Sequence, residues 1–210
     1  MSKTVNRWAF ALPMAIAAAL GGVQPGAAAA GDLLIRGRAL AVIPDESATV
    51  TPLGGSVSID NYYVPEVDFS YFVTDNIAVE LIAATTKHKA AATVGPTPLG
   101  SVWLLPPTLL LQYHFVSGST FTPYVGAGVN YTFFYNVDDP PGLDVHYKDN
   151  VGYALQAGFD TKLTEHWVLN VDVKKLWLAT DVSINSGAIT AKVNIDPWLI
   201  GMGVGYRFSI

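Results

Sequence analysis

The residues from 198 to 208 alternate without a break, and few folds accept the two sets of residues between which they alternate. Trp198, Ile200, Met202, Val204, Tyr206 and Phe208 fall on one face, while Leu199, Gly201, Gly203, Gly205 and Arg207 fall on the other. The first face is too broad and aromatic for a solvated surface. The second is too polar for the buried side of a sandwich strand. A strand with lipid on one side and a crowded lumen on the other needs this pattern.

Seven further stretches read as strands, giving candidates at 33–43, 62–73, 77–88, 102–115, 122–135, 150–163, 167–181 and 190–208. Short connections follow the second, fourth and sixth. Long Pro/Gly/Asp-rich ones follow the first, third, fifth and seventh, and the one at 44–61 has room for an extra short strand. The expected fold is therefore all-β, an eight-stranded antiparallel transmembrane β-barrel with short periplasmic turns, long extracellular loops and both termini in the periplasm.

The amino terminus predicts how such a chain reaches its membrane. Lys3 and Arg7 precede an apolar run over residues 8–23, and Ala28-Ala29-Ala30 offers a cleavage site. Pro13 interrupts the run, which falls short of the roughly 20 residues of a spanning helix. Residues 1–30 are thus expected to be a cleaved signal peptide and 31–210 the barrel, placed in the cell outer membrane. Removing that segment takes two basic residues from a chain of net charge −5 and leaves −7, which argues against a nucleic-acid partner. The chain has no cysteine, so thiol chemistry and disulfides are excluded.

Taking the large apolar set of each strand as lipid-facing leaves an inward set that divides by depth. Toward the periplasm it is charged: Arg36, Arg38, Glu66, Asp68, Glu80, Asp160, Lys162, Asp172, Lys174 and Arg207. Five cations and five carboxylates in so narrow a barrel are expected to pair into a closed floor. Toward the outside the same face is apolar, with Leu40, Val42, Val64, Leu110, Phe134 and Leu199. A greasy mouth above a charged floor suits a hydrophobic solute that enters from outside and leaves sideways. Pro65, Pro106 and Pro197 are the candidate lateral gaps, because each lacks the N–H a strand ladder uses. They also fit a plainer reading, in which strands simply rise there into loops.

Three stretches carry a resemblance: Leu105-Pro-Pro-Thr-Leu-Leu-Leu-Gln-Tyr-His-Phe115, Pro123-Tyr-Val-Gly-Ala-Gly-Val-Asn-Tyr-Thr-Phe-Phe134 and Asp196-Pro-Trp-Leu-Ile-Gly-Met-Gly-Val-Gly-Tyr-Arg-Phe208. With weaker matches at 76–80 and 148–152, the chain resembles the OmpW family of small outer-membrane channels, which includes the AlkL-type proteins of alkane users. The resemblance implies an eight-stranded barrel whose hydrophobic channel, closed toward the periplasm, passes small apolar compounds laterally into the membrane. It also implies loops that serve in some members as bacteriocin receptors, and no active site. Ser209 and Ile210 depart from the pattern by following the closing aromatic that the barrel assembly machinery reads.

Catalysis has little to work with. His88, His114, His146 and His166 are scattered, none with the nucleophile and orienting partner of a hydrolase or the spacing of a metal site. No catalytic residue, metal or cofactor is expected. The partners expected are small hydrophobic molecules, outer-membrane lipid and lipopolysaccharide, with the barrel a monomer. Two other functions fit the same residues: a structural barrel whose loops bind lipopolysaccharide, a host surface or a bacteriocin, and a small low-conductance ion pore.

Overall fold

The computed structural model describes residues 28–51, 54, 57–92, 97–115 and 120–210. The expected signal peptide lies almost wholly outside the described residues, as does most of the connection at 116–121.

In chain order, β1 (Leu33–Ile43) rises from the end that holds both termini, β2 (Ser47–Thr51) and β3 (Val57–Ile59) lie beyond it, and β4 (Tyr62–Phe72) descends. β5 (Ile77–Ala83) rises, β6 (Thr86–Ala92) and β7 (Thr97–Leu105) form an outer hairpin, and β8 (Thr108–His114) descends. β9 (Phe121–Asp138) rises past the others, β10 (Val145–Tyr147) follows, and β11 (Asn150–Lys162) descends. β12 (Trp167–Trp177) rises, β13 (Ala179–Ile184) and β14 (Ile189–Asn194) form the last outer hairpin, and β15 (Trp198–Phe208) returns.

Eight of these close into an antiparallel barrel in the order β1, β4, β5, β8, β9, β11, β12, β15 and back to β1. The expected fold is therefore the observed one. Closure leaves no backbone edge facing lipid over most of the wall, which a spanning sheet requires. Two tight turns lie at the terminal end, periplasmic by the usual asymmetry of such barrels. Each is pinned by a threonine: Thr74 Oγ1 accepts from the Asn76 and Ile77 amides, and Thr164 Oγ1 from those of His166 and Trp167.

At the other end the structure corrects the strand bounds. The candidates at 77–88, 102–115, 167–181 and 190–208 each run across a break. Pro106-Pro107 separates β7 from β8, and Asp196-Pro197 separates β14 from β15. Asp196 adopts φ of 35° there and turns its carboxylate to accept from the Leu178 amide at 2.9 Å, so the interrupted ladder is capped. What read as loops is folded: β7, β6 and β3 extend the sheet beyond β9, and β10, β13, β14 and β2 form a separate four-stranded sheet.

Candidate functional site

Inside the barrel the sequence places side chains in three layers. At the periplasmic end Leu34, Phe72, Ala78 and Val168 pack together, with Ala28 against them. Above them is an ionic layer, buried throughout. Arg36 reaches Asp68 at 2.9 Å and Asp160 at 2.8 Å; Arg38 reaches Glu66 at 2.9 Å, Asp68 at 2.7 Å, Glu80 at 3.2 Å and Asp172 at 2.7 Å. Lys174 joins Glu66 and Asp172, both at 2.9 Å. Strand register explains this convergence: Arg36 stands opposite Asp68 and Arg38 opposite Glu66 in the β1–β4 ladder. Glycines of β15 make room on the other side, since a Cβ on Gly201 would lie 2.5 Å from Asp172 Oδ1 and one on Gly205 2.9 Å from Arg36 Cγ.

Two residues expected in this floor stand apart. Lys162 is half-buried near the periplasmic rim and makes no ion pair among the described residues. Arg207 lies at the same rim, 4.0 Å from Asp32. Both have the inward parity of the floor residues but sit too near the strand ends to reach its centre. The joined cluster thus holds three cations and five carboxylates, and neutral donors serve the surplus. Gln156 donates to Asp172 at 2.8 Å, Asn170 to Asp160 at 2.9 Å, and the Arg36 guanidinium lies 5.5 Å from the Tyr124 ring centroid. Tyr124, inward and buried, is not among the lumen residues the sequence singles out. Its shared parity with Gly126, Gly128 and Asn130 was the available signal.

Above the ions the lumen is apolar. Leu40, Val42, Leu110 and Leu199 are buried in one cluster, with Val64 and Phe134 packed against it. The cluster continues upward into the four-stranded outer sheet, whose Val145, Val182, Ile184, Ala191 and Val193 face down onto it. Phe134 stacks on Tyr147 at 5.5 Å. Burial, with Asp139 adding to it, pushes the Tyr147 phenol up to about 12. Little space is left: the cavity among Leu40, Ile82, Leu104, Leu176 and Leu199 has about 50 Å³, against the ~30 Å³ a water molecule occupies in the liquid. Leu and Val side chains fill the rest of the column.

The three prolines differ in what surrounds them. Pro197 and Pro107 lie in bonded walls: the Leu176 amide donates to the Pro197 carbonyl and the Tyr131 amide to that of Pro107, each at 3.1 Å. The neighbouring Pro106 carbonyl accepts from the Thr108 hydroxyl at 3.0 Å. Pro65 lies at a different kind of place. The β4–β5 ladder ends at Val67 and Ala83. Above that level β4 pairs with β1, while β6 pairs with β7 and β3. Among the described residues no ladder pairing joins upper β4 to the start of β6, which leaves a seam there. The lumen cavity is lined from both sides of it, by Glu66 on β4 and by Ile82, Ala84 and Thr86 across the gap.

Comparison with known proteins places this geometry. A family model described as the OmpW family matches residues 29–208. The "Uncharacterized outer-membrane protein y4mB" of Sinorhizobium fredii is 48% identical over 181 residues, covering 83% of this chain and 79% of that protein. The "Dibenzothiophene metabolism operon protein PahQ" of Pseudomonas aeruginosa is 31% identical, covering 74% of this chain and 76% of its own. Among solved structures, the outer membrane protein OprG from Pseudomonas aeruginosa superposes with a TM-score of 0.84 at 32% identity, covering 89% of this chain and all of OprG.

Proposed function

This chain belongs to the OmpW family and is an outer-membrane β-barrel, and from that premise we propose that it admits small hydrophobic molecules through its apolar upper lumen and releases them sideways into the bilayer. The observation that supports this most is the meeting of three features: an apolar column, a closed ionic floor beneath it and, beside it, a seam where no ladder pairing joins β4 to β6 among the described residues. A solute that has displaced the leucines cannot descend without entering a layer of buried charge, where an apolar molecule finds only strongly bonded partners. Between β4 and β6 no ladder pairing stands in the way among the described residues. A relative named for dibenzothiophene metabolism points to the same class of compound. A barrel that served only as scaffolding for its loops has no need of an apolar interior at this level.

Closing the seam tests the exit. Pro65 and Thr85 are the next outward-facing positions above the last β4–β5 pair, and the chain has no native cysteine to interfere. In the Pro65→Cys/Thr85→Cys variant, a reducible thiol cross-linker is expected to lower uptake of a medium-chain alkane at least fivefold and reduction to restore it. Each single variant, treated alike, keeps its uptake. Undiminished uptake by the fully cross-linked barrel contradicts lateral release.

A further inference from the structure

The outward positions of the eight barrel strands form an apolar belt with one charge in it. Across β1, β4, β5, β8, β9, β11, β12 and β15 the residues of outward parity are aliphatic, aromatic, Gly or Pro, apart from Thr161 near the periplasmic rim and Lys175. Lys175 stands at the extracellular edge, directly opposite Trp198 in the β12–β15 ladder and two residues from Trp177. Its Nζ lies 5.1 Å from the Trp198 ring centroid. The ammonium donates to the Asp196 carbonyl and to Asp45 Oδ2 at 3.3 Å, which leaves its third N–H without a protein partner among the described residues. The Asp45 hold is long, and that carboxylate is mostly exposed.

Below Lys175 the wall is hollowed. Small outward residues at Ala127 and Ala157 lie between Leu111 and Tyr113 on one side and Leu155 and Val173 on the other, giving an open groove of about 750 Å³ that runs from Trp198 and Lys175 diagonally toward Ile77. Its head is cationic and flanked by the tryptophans of an interfacial belt, and its body is apolar. The staple to Asp45 and Asp196 accounts for a lysine here but not for the groove that begins under it.

We propose that this groove is a binding site for the lipid A part of lipopolysaccharide, with a phosphate on Lys175 and an acyl chain laid along Ala127 and Ala157. The head of the groove lies at the outer leaflet, where the lipid combines the anion and the chain in the required order. A phosphate takes the free N–H and either joins or displaces the loosely held Asp45. The site lies on the lipid side of the wall, so it is independent of what passes through the lumen.

The test is retention of lipid on the purified full barrel, measured by native mass spectrometry with bisphosphorylated lipid A, dephosphorylated lipid A and phosphatidylglycerol as probes. The wild type is expected to hold bisphosphorylated lipid A at least tenfold more tightly than either of the others. Lys175→Gln and, separately, Ala157→Phe are each expected to remove most of that preference, whereas Ala39→Phe on the opposite wall leaves it intact. Since Ala157 has no part in the Asp45 staple, its variant separates loss of the groove from a loosened loop. Equal retention of phosphatidylglycerol or of dephosphorylated lipid A overturns the assignment, as does unchanged lipid A binding in both variants.

Discussion

Replacing Leu110 by Asp is expected to lower the uptake of a medium-chain alkane at least tenfold while the barrel still folds. Leu110 is 1% exposed and lies opposite Glu80 in the β5–β8 ladder, where the apolar column meets the ionic floor. A carboxylate here has no cation left to pair with, because Arg36, Arg38 and Lys174 are already shared among five carboxylates. It must hold water around itself, and an apolar solute then crosses a hydrated constriction. Burying a polar group without a partner costs on the order of 2–7 kcal/mol, and about 1.4 kcal/mol already makes a tenfold difference. Leu110→Met keeps both volume and polarity and is expected to retain near-normal uptake. An uptake equal to wild type in a folded Leu110→Asp barrel would place the route elsewhere than the lumen.

Arg38→Met is expected to produce the largest loss of stability, about 3–5 kcal/mol by the usual effect of stripping one partner from a buried ion pair. Arg38 touches four carboxylates, which repel one another once it is gone. The measurement is urea unfolding in lipid vesicles, followed by tryptophan fluorescence. Arg207→Met, at the periplasmic rim outside the joined cluster and 4.0 Å from Asp32, is expected to cost clearly less than Arg38→Met. Equal effects of the two substitutions would mean that the floor is not held by its central guanidinium.

Much of this architecture is legible in the residues because period-two alternation reports both strand and face. Gly201, Gly203 and Gly205 against Met202, Val204 and Tyr206 give β15 without ambiguity, and the same parity brings Leu40, Leu110 and Leu199 together. Parity does not report depth. Lys162 and Arg207 therefore read as floor residues, although they sit at the rim, and nothing in the alternation marks Leu34, Phe72, Ala78 and Val168, which share the inward parity, as a second apolar layer. Nor does alternation say which neighbour a strand chooses. β6 and β7 continue the pattern of β5 and β8 but leave the barrel wall, and the seam beside Pro65 exists only because of that choice. The outer sheet was hidden for another reason: its strands are short, and their inward Val145, Val182 and Val193 acquire meaning only when folded over the lumen.

The measurement that bears most directly on the proposed function is the uptake rate of a medium-chain alkane into cells with and without this protein, read from the product of an enzyme inside the cell. The expected result is a rise of at least fivefold when the barrel is present and folded in the outer membrane, with no matching rise for a small polar solute. The contradicting result is equal alkane uptake in the two strains, which would leave the barrel's outer sheets, rather than its lumen, as the working part of the molecule.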